Sequence, residues 1–292
     1  MPLNQPETPA RPIEAHERQR PTLAPRVSRR ALLAGGLGLV AADSLLLEPR
    51  WLEVNPQDLF VSALPSGLEG LRIAHVTDVH LAGLHAAARA VMDAVETERP
   101  EVVVLTGDLI ERPEELATLS AFLTQVRGTI ATAAVLGNWE RWGKVPRPAL
   151  RQVLERAGAA LLVNDSLRVS VAGGSLELVG LDDPVAGEPD PAVALRRTRG
   201  GPLLWLVHAP AWIDSAPADL EGIAVLAGHT HGGQARLGPI APFTPTGSGS
   251  YRSGWYSHGF APMYVSRGVG TSVVPARLFC RPELPIFSLR RA

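Results

Sequence analysis

Leu71–His80, LRIAHVTDVH, is the stretch whose reading decides the fold. Leu71–Thr77 is a short aliphatic run, too brief for a globular helix, and it predicts a buried strand. It ends in Asp78-Val79-His80, two side chains able to ligate a metal. Working outward, the same pattern returns four times. Glu101–Thr106 runs into Gly107-Asp108, Ile130–Leu136 into Gly137-Asn138, Leu203–Val207 into His208, and Ile223–Ala227 into Gly228-His229-Thr230-His231. Helical patterns lie between them, at Leu84–Glu98, Pro113–Val126, Pro148–Ala157 and Ala211–Ala218. The shorter runs Leu161–Val163, Leu167–Val171 and Ser175–Leu181 read as an antiparallel meander. The mixture predicts an α/β protein with two packed sheets covered by helices, in one domain.

In open α/β sheets, ligands collect beyond the carboxyl ends of the strands. Here five strands deliver Asp, Asn or His to that rim. Asp-x-His and His-x-His put two side chains on one side of an extended chain, because the side-chain period is two. Glycines before Asp108, Asn138 and His229 remove bulk, so that the chain can turn and the ligand point inward. An Asp or His after one strand is an ordinary turn residue; seven together are not. Two Asp, one Asn and four His suffice for two cations sharing a carboxylate. Mixed imidazole and carboxylate ligation suits Mn, Fe, Zn or Co rather than Ca or isolated Mg.

The composition closes other routes. The 292 residues carry 28 Lys+Arg against 29 Asp+Glu, a balance that disfavours nucleic acid as a partner. Cys280 is the single cysteine, so an intrachain disulfide is excluded and a cysteine-ligated zinc site is disfavoured. Hydrophobic residues make up 46% of the chain, which argues against disorder. Only one stretch approaches membrane-spanning length, which rules out a polytopic membrane protein.

That stretch is Ala31–Leu47, preceded by Ser28-Arg29-Arg30 and by a leader rich in Pro, Arg and Glu that includes His16. Paired arginines, a weakly apolar segment and small residues at Ala41-Ala42 resemble a twin-arginine export signal. Residues 1–47 are therefore expected to be a disordered leader with an export signal, and 50–292 the folded domain. The expected location is the periplasm or cell envelope, with the twin-arginine machinery as a partner and either cleavage or retention as a membrane anchor.

Asp78-x-His80, Gly107-Asp108, Gly137-Asn138-x-Glu140, His208 and Gly228-His229-Thr230-His231 resemble the calcineurin-like metallophosphoesterase superfamily. Gly232-Gly233-Gln234, Tyr264–Ser272 and Pro275-x-Arg277-Leu278-Phe279-Cys280-Arg281-Pro282-Glu283 are similar to its YkuE/YaeI-type branch. The resemblance implies an αββα sandwich of two sheets flanked by helices. It implies one metal held by Asp78, His80, Asp108 and His231, and another held by Asp108, Asn138, His208 and His229. A metal-bridged hydroxide would then attack a phosphate ester, most readily a phosphodiester or pyrophosphate. The expected substrate is a phosphorylated small molecule or a lipid-linked phosphate.

One position departs from the family pattern. The asparagine motif usually continues with a histidine, and here Trp139 follows Asn138. Indole donates a hydrogen bond but is no acid at neutral pH. Either His258 or His85 substitutes as the acid, or the substrate has a leaving group that needs none. Trp139 can equally pack beside the site and stack on substrate. The alternative reading is a catalytically impaired metal- or phosphate-binding protein. Arg252 and Arg267 are candidate phosphate grips. His75 is expected in the core or behind a ligand, and Asp182-Asp183-Pro184 in a turn. The loop Gly238–Gly254, followed by Trp255 and Tyr256, reads as a substrate lid or a solvated linker.

Overall fold

The computed structural model describes residues 28–236, 238 and 240–292. The leader through residue 27, including His16, lies outside the described residues. The chain divides into a unit that reaches to Leu39 and a compact unit Val40–Ala292. Helix α1 (Arg29–Ala42) continues through a wider turn, Asp43–Leu47, and a 3-10 turn, Glu48–Arg50. Together they form 22 apolar-rich residues, long enough to cross a membrane by length and composition.

Twelve strands among the described residues form two six-stranded sheets. The first has the order β1-β12-β2-β3-β4-β5, from Glu53–Val61, Glu283–Arg291, Arg72–Val76, Val102–Thr106, Ala131–Val135 and Ala159–Leu161. The second has the order β10-β11-β9-β8-β7-β6, from Gly254–Tyr256, Met263–Val265, Ala224–Ala227, Leu203–Leu206, Gly174–Gly180 and Asp165–Val171. Strands β2 to β5 run parallel, as do β7, β8, β9 and β11, so their carboxyl ends gather along one rim of each sheet.

Alternation along the strands divides the apolar residues among three layers. Ile73, Val102, Val104 and Ala133 face Leu176, Leu178, Leu204 and Leu226 between the sheets. Ala74, Val76, Val103 and Leu105 point the other way, onto α2 (Ala86–Glu98), α3 (Leu116–Leu123) and α5 (Arg147–Arg156). Trp205, Val225 and Met263 meet Ala194 of the short α6 (Pro191–Ala194) and Trp212 in the 3-10 segment Pro210–Ser215. Period-two burial forces this division, since neighbouring residues on a strand face opposite sides. Helix α2 answers with Ala87, Ala88, Val91 and Val95 on one face. Each fully buried Val or Phe contributes about 1.5–3 kcal/mol of transfer free energy.

The five principal strands and the helices α2, α3 and α5 lie where the sequence predicts them. The meander is corrected. Ala159–Leu161 joins β4 in parallel as the edge of the first sheet, while only β6 and β7 form an antiparallel hairpin in the second. A short aliphatic run fits either sheet, and Ala159–Leu161 reaches the first one because α5 returns the chain to β4.

Candidate metal centre

Strands β2, β3, β4, β8 and β9 each end two to four positions before a candidate ligand, and the seven side chains converge. Ligand atoms of Asp78, His80 and His231 lie within 4.8 Å of one another, as do those of Asp108, His208 and His229. His80 Nε2 stands 3.1 Å from His231 Nε2, and His231 Nε2 stands 3.6 Å from Asp78 Oδ1. In the second cluster, His208 Nε2 faces Asp108 Oδ2 at 3.2 Å, Asn138 Oδ1 at 3.1 Å and His229 Nδ1 at 3.1 Å. Asp108 Oδ2 also lies 3.9 Å from His80 Nε2, so this carboxylate faces both groups. None of the seven is more than 6% exposed.

This donor set fits cations. A proton on His208 Nε2 can serve only one of the three lone-pair atoms that converge on it, and His80 and His231 oppose each other nitrogen to nitrogen. Burial lifts the Asp78 carboxyl above its ordinary range, only partly offset by His208. Burial also pushes His229 down to about 4, and His231 well below its usual value. Both imidazoles are thus neutral, the form that ligates metal. For His208, burial opposes the charge, but the neighbouring Asp108 carboxylate outweighs it and raises the group well above its usual value.

The backbone pays for the convergence with strain. Asp78, His80, Asp108, His229 and His231 all have left-handed φ, between 49° and 71°. Non-glycine residues rarely adopt that region, and such strain concentrates at functional sites. The expected extended pairs are therefore replaced by left-handed turns. Asp78 and His80 still share a cluster, whereas His229 and His231 divide between the two. Two glycines supply space rather than flexibility. A Cβ at Gly137 would sit 2.2 Å from Asp108 Oδ1, and one at Gly228 would sit 2.4 Å from Asp78 Oδ2.

A second ring of groups orients the first. Glu111 Oε1 bonds His80 Nδ1 at 2.9 Å, the Thr106 carbonyl accepts from His208 Nδ1 at 2.7 Å, and the Thr246 carbonyl accepts from His229 Nε2 at 2.8 Å. Such partners fix the ring orientation and the ligating nitrogen. Sequence reasoning missed Glu111 and both carbonyls. The loop of Thr246, read as lid or linker, carries a carbonyl that braces a candidate ligand. The stretch Val269–Gly270 braces the first strand exit, donating to the carbonyls of Thr77 and Asp78 at 3.0 and 2.7 Å.

Residues 71–233 match the calcineurin-like phosphoesterase family. The chain belongs to that family. It is 30% identical to the uncharacterized metallophosphoesterase YkuE of Bacillus subtilis, over 91% of this chain and 98% of that protein. It is 29% identical to the phosphodiesterase YaeI of Escherichia coli, over 90% and 99% of the two chains. It is 26% identical to the UDP-2,3-diacylglucosamine pyrophosphatase LpxG of Chlamydia muridarum, over 65% of this chain and 72% of that one. The protein is thus a metallophosphoesterase, a hydrolase of phosphoric esters.

In this metallophosphoesterase a cavity of about 590 Å³ opens over the two clusters. Asp108, Asn138, His229 and His231 form part of its lining, and Trp139, Trp142, Phe243, Val273 and Val274 belong to its apolar wall. The Trp139 backbone N–H donates to Asp108 Oδ1 at 2.8 Å, while its ring stands edge-on to His80 and to Trp142. The other four sequence candidates lie elsewhere. His85 is a helix cap rather than an acid: Nδ1 accepts the Ala88 N–H at the start of α2, and Nε2 donates to the Val79 carbonyl. His258 packs edge-on to Phe260 between β10 and β11 and does not line the cavity. Arg267 is held by Glu283 and Glu53, each at 3.2 Å, which leaves its guanidinium committed inside the fold. Arg252 is exposed and also off the cavity, though its carbonyl accepts from Thr230 Oγ1. His75 lies in the core with Nε2 on Thr106 Oγ1 at 2.7 Å, and Asp182 pairs with Arg141.

Proposed function

We propose that this metallophosphoesterase hydrolyses a phosphodiester or pyrophosphate bond at a dinuclear divalent-metal centre. Asp78, His80, Asp108 and His231 would hold one cation and Asp108, Asn138, His208 and His229 the other, with Asp108 shared. The observation that carries this reading is the position of Asp108 Oδ2, within 3.2 Å of His208 and 3.9 Å of His80. When bound, such a pair of cations supplies Lewis acidity and a nucleophilic water at neutral pH. Mixed nitrogen and oxygen ligation favours Mn, Fe, Zn or Co.

The chain's own residues do the rest. Glu111 and the Thr106 and Thr246 carbonyls hold three imidazoles in fixed tautomers. The Trp139 N–H occupies Asp108 Oδ1 and leaves Oδ2 free to face the clusters. The apolar wall limits bulk water around the reacting phosphorus. Overall, water adds across the P–O bond, and the leaving oxygen departs with the electron pair. Asp108, His229 and His231 are the titratable side chains lining the cavity among the described residues, and all three are candidate ligands. With no free acid at hand, the leaving oxygen must depart as a stable anion, which favours pyrophosphate and aryl-type diesters over simple alkyl monoesters.

The same lack of an acid favours one second reading, a metal- or phosphate-binding protein without turnover. Elemental analysis and hydrolysis of bis(p-nitrophenyl) phosphate separate the two. Two metal ions per chain and turnover abolished by chelation and by Asp108→Ala are expected; bound metal without turnover on any activated ester selects the binding protein. For the location, Ser28-Arg29-Arg30 at the start of α1 supports twin-arginine export to the cell envelope. Cell fractionation of the Arg29→Lys, Arg30→Lys double variant is expected to retain the protein inside the cell, and unchanged fractionation rejects the export reading.

A further inference from the structure

Beyond the candidate ligands, the cavity wall offers no charged side chain among the described residues and is rich in aliphatic and aromatic groups. Gln234 is a polar residue within it, and its amide is already spent: Oε1 accepts the Ser272 N–H at 2.6 Å and Nε2 donates to the Val274 carbonyl at 3.1 Å. No Lys or Arg lines the cavity among the described residues. What it offers instead is Trp139, Trp142, Phe243, Val273 and Val274, with Phe243 79% and Val273 90% exposed. Val273 holds a left-handed φ of 63°, a strained conformation for a β-branched residue. Exposed apolar side chains gathered at a cavity mouth mark a binding surface rather than a scattered surface residue.

The loop that carries Val273 and Val274 is clamped on both sides. Arg277 is fully buried, and its guanidinium donates to the carbonyls of Arg267, Gly268, Gly270 and Cys280. The Arg277 N–H donates to the Ser44 carbonyl at 2.9 Å, and the Glu48 carboxylate accepts the N–H groups of Phe279 and Cys280. Ser44 and Glu48 end the apolar helical segment, where Leu45, Leu46 and Leu47 are exposed. Arg281 lies 4.0 Å over the ring of Trp51 just beyond it, an aromatic and basic pairing suited to a membrane–water interface. Val273 and Val274 are thus joined, through one clamped loop, to the end of a segment able to enter a bilayer.

We propose that the cavity over the metal-ligand cluster is a hydrocarbon-tail site, whose substrate is a phosphodiester or pyrophosphate carrying an alkyl or acyl chain along Phe243, Val273 and Val274. This rests on the reading of the cluster as a hydrolytic centre. Head and tail then have separate partners: the phosphorus lies over the ligand cluster, and the chain covers the exposed apolar loop.

The test uses the full chain loaded with Mn and two diesters sharing one leaving group, p-nitrophenyl butyl phosphate and p-nitrophenyl dodecyl phosphate, below the micelle concentration. Burying part of eight added methylenes should raise kcat/KM for the dodecyl ester at least about tenfold, chiefly through KM. Phe243→Ser with Val273→Ser, both at exposed positions, should bring the ratio close to one. A second arm presents the dodecyl ester in phosphatidylcholine vesicles: faster turnover there identifies a bilayer as the source, and faster turnover of the monomer identifies a soluble amphiphile. In metal-free protein, dodecylphosphonate but not methylphosphonate should perturb tryptophan fluorescence. Equal kcat/KM for the two esters, with bis(p-nitrophenyl) phosphate still hydrolysed, overturns the tail site and leaves the hydrolytic reading standing. Absence of turnover on all three esters overturns both.

Discussion

The Glu140 carboxylate accepts the backbone N–H of Asp108 at 3.1 Å, and its two oxygens also take the N–H groups of Leu109, Ile110 and Gly137 at 2.6, 3.2 and 2.8 Å. One side chain on α4 (Asn138–Trp142) thereby ties together the two strand exits that carry Asp108 and Asn138. Burial, together with the charge of Asp108, pushes Glu140 up to about 7. Glu140→Gln turns an amide donor toward backbone donors and so leaves at least one of them unpaired. Mn affinity of the stripped protein should fall about 10–100-fold, the usual effect of removing an outer-shell partner. Titration calorimetry with Mn, alongside circular dichroism to check the fold, reads this directly; unchanged affinity in a folded variant would refute the role.

Glu111 offers a milder case, because its carboxylate bonds one candidate ligand, His80, at 2.9 Å. Glu111→Gln keeps an acceptor for the imidazole N–H but removes its charge. About tenfold weaker binding is expected at one cation position and none at the other, so a titration of the variant should separate into two phases. A single unchanged phase would show that the Glu111 charge does not tune the site.

The seven candidate ligands were legible in the sequence because each follows a strand whose aliphatic run is unmistakable. Their supports were not. The Thr106 and Thr246 carbonyls and the N–H groups around Glu140 are backbone atoms, which carry no sequence signature. Strands β1 and β12 were also missed. They pair in parallel from Glu53 against Glu283, yet each contains a proline, Pro56 and Pro285, which argues against a strand when only sequence is read. Both strands lie toward one end of the sheet, with β1 at its edge, where a missing N–H is tolerated. The left-handed turns at Asp78 and His80 were hidden for a related reason: Asp and His tolerate positive φ better than most residues, but nothing local requires it at a strand exit, and tertiary packing imposes it.

His75 makes acid stability a measurable property of the core. Burial holds its imidazole down to about 3, against an ordinary value of 6.5. Between those values the unfolded chain binds more protons than the folded one, so stability falls as pH drops below 6.5. At pH 5 this single group costs about 2 kcal/mol. His75→Leu removes that dependence but also the bond to Thr106 Oγ1, worth about 1 kcal/mol. Urea unfolding of metal-free protein should therefore find the variant less stable at pH 7, with the gap narrowing or reversing at pH 5. Parallel pH profiles for the two proteins would show that His75 does not titrate across folding.

Trp139 sets the range of leaving groups. It lines the cavity with its ring edge-on to His80, and neither His85 nor His258, the acids proposed from sequence, lines the cavity. General acid assistance contributes about 10²–10⁴-fold when the leaving group is a poor one. Trp139→His should thus accelerate an alkyl diester by roughly 10²-fold or more, and change an aryl diester by only about threefold or less, because a phenolate needs little protonation. The Trp139 backbone bond to Asp108 does not depend on the side chain, so the metal content should stay the same. A series of diesters with graded leaving-group pKa provides the measurement. The wild-type rate should fall steeply as that pKa rises, and the variant's slope should be shallower. Equal slopes would mean that protonation of the leaving oxygen is already supplied from outside the cavity lining, and the preference for stable leaving anions would have to be abandoned.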